Sequence, residues 1–170
     1  NWWGKTSEML ILKNVLEKLP NVQFYWAGHG PFEKKILTEL EKYENFHWLG
    51  KLEYPDKVRE FLSEIDVYAL ITGMDLAPLS LKEAQLMKKP VIATNVGGNP
   101  ELVEHGVTGL IVPPKAPGPL ADALYQLAED TKIRQSMGIA GRNRVDEKFS
   151  IENCVKNYQH RYDQLIKHKT

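Results

Sequence analysis

The sequence predicts an α/β protein, a three-layer α/β/α domain built on a doubly wound parallel sheet, with a helical carboxyl-terminal part. Three observations predict it. From residue 20 onward, short apolar runs alternate with amphipathic stretches. The runs are continuously apolar, the pattern of strands buried on both faces of a parallel sheet. After Pro119 the pattern becomes wholly helical. Strand and helix in alternation over this length imply βαβ units with helices on both faces of the sheet.

The strands are expected at Val22–Ala27, Phe46–Leu49, Val67–Ile71, Val91–Thr94 and Leu110–Val112, each rich in Val, Ile, Phe or Tyr and most bounded by turn residues. In the first helix Met9, Leu12, Val15, Leu16 and Leu19 share a face, with Thr6 or Ser7 as its cap. Further helices are expected at Phe32–Tyr43, Asp56–Ser63, Ser80–Met87 and, briefly, Pro100–Glu104. The helical end comprises Leu120–Glu129, Lys132–Met137 and Ile151–Lys167, the last capped by Ser150. Four prolines between Val112 and Pro119 make that stretch a stiff loop rather than a domain boundary. A doubly wound domain normally opens with a strand, whereas this chain runs from Asn1–Lys5 almost directly into a helix. The expectation is one domain over residues 1–170, its first strand and a preceding domain lying outside them.

Composition narrows the function classes. A length of 170 residues suits one domain, with 42% hydrophobic and 26% charged residues, an ordinary globular balance. Lys+Arg and Asp+Glu are both 22, so no basic excess calls for nucleic acid. Lys167–His168–Lys169 reads as a solvated tail. The lone Cys154 cannot form an internal disulfide and reads as a packed or idle thiol. No apolar run approaches the ~20 residues needed to span a bilayer, and the first residues are unlike a signal peptide. The expected compartment is the cytoplasm, with the full-length protein free there or peripheral at a membrane. His47, His105, His160 and His168 have no spacing that suggests a metal site.

The chemistry concentrates in Thr72–Glu83, which follows a strand and leads into a helix, where open α/β sheets bind ligands. Asp75 lies on the loop and Glu83 about one turn into the helix, with the amides of Leu79, Ser80 and Leu81 between them. Free amides at a helix start bind anions, and carboxylates accept paired hydrogen bonds from vicinal hydroxyls. The structural alternative is a capping box in which Glu83 bonds the Ser80 backbone, with Asp75 as a turn residue.

A longer set of ordered motifs weighs on the functional side: Asp75…Glu83-Ala84, Lys89-Pro90-Val91-Ile92-Ala93-Thr94, Gly97-Gly98-Asn99-Pro100-Glu101 and Gly106-Val107-Thr108-Gly109-Leu110-Ile111-Val112-Pro113-Pro114. Upstream stand Ala27-Gly28-His29-Gly30-Pro31 and Phe46-His47-Trp48-Leu49-Gly50; downstream, Ala140-Gly141-Arg142 and Phe149-Ser150. Over nearly its whole length the chain resembles the carboxyl-terminal domain of the retaining glycosyltransferases of family four (glycosyl transferases group 1), a Rossmann-like half of the GT-B fold. The resemblance implies that Glu83 binds a nucleotide ribose and Asp75 the hydroxyls of the transferred sugar. It also implies that the amides of Leu79, Ser80 and Leu81 hold sugar and diphosphate, that Lys5 faces the diphosphate, and that the partner arginine lies ahead of Asn1. Gly28 and Gly30 would bring backbone close to the nucleotide, although a tight turn explains them equally well. The implied donor is a nucleotide-diphosphate sugar, no cofactor or metal is expected, and the acceptor site belongs to a preceding domain.

Four departures from the family pattern stand out, the first being Asp75 where Glu is commoner, one methylene shorter in reach. Leu76-Ala77 replaces Gly-Phe or Gly-Leu, Ile71-Thr72 replaces Pro-Ser, and Lys88 stands where a glycine closes the helix. A non-glycine left-handed cap costs about 1 kcal/mol. The departures at Leu76, Ala77 and Lys88 keep open a non-catalytic nucleotide-binding module, beside a GT-B sugar-nucleotide epimerase. Gly97-Gly98 reads as a helix start, with Asn99 as cap and Pro100 at the first helical position. His29 reads as an exposed turn residue or a ligand contact. The tryptophans, with Tyr158 and Tyr162, read as core residues or as contacts to a neighbouring domain.

Overall fold

The computed structural model describes residues 2–167; His168 and Lys169 of the basic tail lie outside them. Five strands are resolved, β1 (Phe24–Ala27), β2 (Phe46–Gly50), β3 (Tyr68–Leu70), β4 (Val91–Thr94) and β5 (Gly109–Val112), all parallel wherever they pair. They form two ladders, β1-β2 and β3-β4-β5. The helices are α1 (Trp2–Thr6), α2 (Leu12–Lys18), α3 (Glu33–Leu40), α4 (Asp56–Glu64), α5 (Leu79–Leu86), α6 (Asn99–Leu102), α7 (Pro117–Glu129), α8 (Thr131–Phe149) and α9 (Ile151–Lys167).

Side-chain alternation along β4 separates two cores. Ile92 joins Leu110 and Val112 of β5 in a cluster with Leu16 of α2, Ile36 of α3 and Leu120 of α7. Val91 and Ala93 face the other way, toward Leu62 of α4, Leu81 and Ala84 of α5, and Leu102 of α6. The first cluster also takes Phe24 and Trp26 of β1, so one helical layer bridges both ladders. This is the three-layer arrangement that the alternating elements predict.

Several local expectations need correction. Thr6 and Ser7 cap nothing by side chain: α1 passes through a 3₁₀ segment, Ser7–Ile11, straight into α2. Glu8 of that segment is buried and its carboxylate accepts a hydrogen bond from the Lys115 amide. The proline-rich loop ends sooner than expected, because Pro117-Gly118-Pro119 already forms the first turn of α7. The helix expected to stop at Met137 continues to Phe149. Its Gly138 approaches α5 so closely that a Cβ would lie 1.9 Å from the Lys88 carbonyl oxygen. Asn153 N donates to Ser150 Oγ at 3.4 Å, as a cap of α9 requires. That helix has no buried residue; Tyr158, Tyr162 and Cys154 are exposed on it, so none packs a core of these residues.

Candidate functional site

The site forms where the chain leaves the carboxyl end of β3. Thr72 is locked to β4: Thr94 Oγ1 donates to the Thr72 carbonyl at 2.6 Å and accepts from the Thr72 amide at 3.2 Å. The Thr72 hydroxyl then donates to the Met74 carbonyl at 2.9 Å and accepts from the Met74 amide, which tightens the turn into Asp75. Threonine in place of the family's serine therefore still has a bonding hydroxyl.

Two other segments clamp this loop through backbone contacts. The Gly73 amide donates to the Lys5 carbonyl at 3.0 Å, and a Cβ on Gly73 would lie 2.1 Å from the Gly4 carbonyl oxygen. On the far side Gly98 N donates to the Asp75 carbonyl at 3.1 Å. A Cβ on Gly97 or on Gly98 would lie 1.7 Å from the carbonyl oxygens of Asp75 and Leu76 respectively, and Gly97 has φ +51. Only glycine combines that backbone with that approach. The Gly-Gly turn is thus more than a helix start: it is the floor under the acidic loop. Asn99 is not the cap. Gly98 holds that position, while the buried Asn99 turns its Nδ2 to the Thr94 carbonyl at 2.9 Å, and Pro100 follows it inside α6.

The loop presents Asp75 to Lys5, and Lys5 Nζ donates to Asp75 Oδ2 at 2.8 Å. The acid is only 16% exposed and the lysine 40%, so solvent reaches the pair from the lysine side. Leu76 and Ala77 show no positive φ, and the Leu76 side chain points into solvent. The loop therefore needs no glycine there.

Helix α5 begins one residue earlier than expected, at Leu79 after Pro78. No side chain caps it, so the capping box does not form, and the amides of Leu79, Ser80 and Leu81 begin a helix whose first turn has no intrahelical acceptors. The Ser80 side chain instead lies near Tyr68 of β3, on the same cavity. Burial pushes the Tyr68 hydroxyl above the usual tyrosine range; the neighbouring Ser80 side chain acts the other way, and the Glu83 and Asp75 carboxylates add to the rise. Tyr68 was not identifiable from sequence as a site residue, because a tyrosine in an apolar run reads as core. The Glu83 carboxylate makes no hydrogen bond or ion pair within the described residues, and Glu83 lines a cavity of about 1250 Å³ together with Ser80, Tyr68 and Gly28.

The glycine turn after β1 is less integrated. Gly28 ties the two strand ends together, donating to the Gly50 carbonyl at 2.8 Å and accepting from Trp48 Nε1 at 3.1 Å. Gly30 has nothing within 4 Å of a Cβ position. His29 is exposed and pairs with Glu33 at 2.7 Å. Thus Lys5 meets Asp75, Ser80 and Glu83 share the Tyr68 environment, Gly28 borders the same cavity, and Gly30 stands apart. Lys88 does adopt the left-handed conformation, φ 57, that a glycine would take more readily. Among the described residues no group of three or more His, Cys, Asp or Glu could hold a metal ion, and no helix is long and apolar enough to cross a membrane.

Parallel strands in three layers, with Asp75, Glu83 and an uncapped helix start beyond their carboxyl edge, define a Rossmann-like domain. The model of the family described as glycosyl transferases group 1 matches residues 8–130, and the chain belongs to that family. It is 32% identical over 147 residues to the N-acetyl-alpha-D-glucosaminyl L-malate synthase of Bacillus anthracis, a match covering 83% of this chain and 37% of the relative. With the human alpha-1,3/1,6-mannosyltransferase it shares 43% identity over 138 residues, 72% of this chain and 32% of that protein. The chain thus spans well under half the length of these relatives. Its fold is that of the UDP complex of Anabaena HepE, with a TM-score of 0.79 at 22% identity, covering 96% of this chain and 46% of the other.

Proposed function

We propose that this chain is the donor-binding domain of a retaining glycosyltransferase, which holds a nucleotide-diphosphate sugar while the glycosyl group passes to an acceptor hydroxyl. The observation that carries the reading is the convergence, at one strand end, of Lys5, Asp75, the uncapped start of α5 and the unpaired Glu83. In this reading Glu83 accepts hydrogen bonds from the ribose and Asp75 from the sugar. The amides of Leu79, Ser80 and Leu81 face the diphosphate. Cleavage of the sugar–phosphate bond leaves negative charge on the diphosphate, and Lys5 with those amides stabilises it. Lys5 therefore exchanges a protein carboxylate for a phosphate when donor binds, and the freed Asp75 turns to the sugar. A partner arginine stands a few residues ahead of Lys5, and the acceptor site belongs to a preceding domain of the same polypeptide, in the cytoplasm. The UDP in the HepE complex supports a nucleotide diphosphate as the ligand class.

Calorimetric titration with UDP, GDP and ADP tests the reading. One of the three binds weakly, and Glu83→Ala weakens that binding roughly 10- to 100-fold, the range for a lost charge-assisted hydrogen-bond pair. A folded protein that binds none of them, or binds one equally well without Glu83, overturns it. Transfer activity requires the acceptor domain, so this chain alone transfers no sugar.

A further inference from the structure

The segment that carries Lys5 is fastened at two places, and only one of them is the acidic loop. None of residues 3–7 is buried, and the next residue, Glu8, is only 3% exposed. The side chains that follow it, Met9, Leu10, Ile11 and Leu12, all pack in or against the first core, so a carboxyl group stands out among them. Burying a polar group costs free energy unless it is hydrogen-bonded. Glu8 meets that need across the fold, because its Oε1 accepts from the Lys115 amide, 107 positions further along the chain. Lys115 belongs to the stiff loop ahead of α7: Pro113 and Pro114 precede it, and its own φ is 57. Leu120, Leu124 and Leu127 root α7 in the core. Glu8 therefore ties the amino-terminal segment to a deeply seated helix.

Lys5 stands one helical turn ahead of Glu8. Its carbonyl accepts from Gly73 N at 3.0 Å, and its ammonium meets Asp75 at 2.8 Å. We infer that Glu8 is a positioning residue for Lys5. The buried carboxylate fixes the far end of the segment, so Lys5 keeps its place beside the acidic loop whether or not its ammonium is paired with Asp75. This matters most when donor binds, a consequence that rests on the donor-binding reading above. In that reading the ammonium leaves Asp75 for the diphosphate, and the ion pair no longer restrains the segment. The Gly73 and Glu8 bonds are then what holds Lys5 in reach of the phosphates.

Amide hydrogen exchange in the ligand-free chain tests the fastening. Glu8→Met fills much the same space without a strong acceptor, whereas Glu8→Gln keeps an acceptor oxygen. The Gly73 amide, which reports the Lys5 backbone, should exchange roughly 10-fold faster in Glu8→Met and at the original rate in Glu8→Gln, with Ile92 and Ala93 of β4 unchanged in both. A Gly73 rate that Glu8→Met leaves unchanged overturns the inference. So does an equal acceleration at Ile92, which would make Glu8 a stabiliser of the whole fold and nothing more. Should Glu8→Met not fold, Glu8→Asp, which withdraws the carboxylate by one methylene, is read by the same amides. Calorimetry with UDP, GDP and ADP then tests the consequence. For whichever binds, Glu8→Met should weaken binding about 5-fold and Glu8→Gln should leave it unchanged; in a Lys5→Ala background Glu8→Met should cost less than about 2-fold. An equal loss in both backgrounds overturns the positioning of Lys5. If the unmutated chain binds none of the three, the donor-binding reading fails, and the exchange result still decides the role of Glu8.

Discussion

Strands β1 and β4, one from each ladder, are both apolar but sit in different surroundings. Val91–Thr94 is buried throughout, with strands on both edges and helices on both faces. Phe24–Ala27 is as apolar, yet none of its residues is buried, and Tyr25 is 50% exposed with its ring stacked on His47. An apolar run therefore reports the capacity for burial; the neighbours on its edges decide whether burial is realised.

Core truncation sharpens this contrast most. Ile92→Ala should cost about 2–5 kcal/mol, because Ile92 is fully buried among α2, α3 and α7 side chains. Tyr25→Ala should cost less than about 1 kcal/mol, its main loss being one exposed ring contact. Urea denaturation of both variants measures the pair, and equal losses would erase the distinction. The glycine turns give a smaller difference. Gly97→Ala forces a Cβ into the Asp75 carbonyl at positive φ and should destabilise by about 1–3 kcal/mol. Gly30→Ala beside β1 meets open space and should stay within about 0.5 kcal/mol.

Lys88→Gly relieves a left-handed lysine at the end of α5 and should stabilise by about 1 kcal/mol, read as a shifted denaturation midpoint at unchanged slope. The smallest effect is alkaline. The folded chain holds the Tyr68 proton more tightly than the unfolded chain does. Stability from this group is therefore intact below pH ~10 and falls as pH rises through the folded-state value. Tyr68→Phe should remove that part of the alkaline slope, whereas Tyr25→Phe should leave it in place.

Much of the fold was legible from local signals. β4 begins and ends where Val91–Thr94 does because Pro90 and Asn95 bound an unbroken apolar run. What stayed illegible depended on distant partners. Ser80 resembles a cap in sequence, but no side chain caps α5, and Ser80 lines the cavity beside Tyr68. Asn99 has the chemistry of a cap but bonds inward to Thr94. α8 outruns its apolar periodicity because Gly138 and Gly141 face α5, where small size rather than apolarity is required. Within the site, Asp75 and Glu83 stand out by their spacing and by the motifs around them. The Lys5–Asp75 contact joins residues 70 apart, and no local pattern encodes it.

The turn at Gly97 and Gly98 has a consequence for how this protein will look to a mutational scan. Neither residue has a side chain to offer a ligand, and each touches the acidic loop from behind, through the carbonyls of Asp75 and Leu76. With the acids binding donor as proposed, a scan scored by lost donor affinity will nonetheless rank them beside the acids. The signature that separates them is rescue: enlarging the ligand cannot restore a displaced loop, whereas shortening the Asp75–Ala77 segment by a residue can.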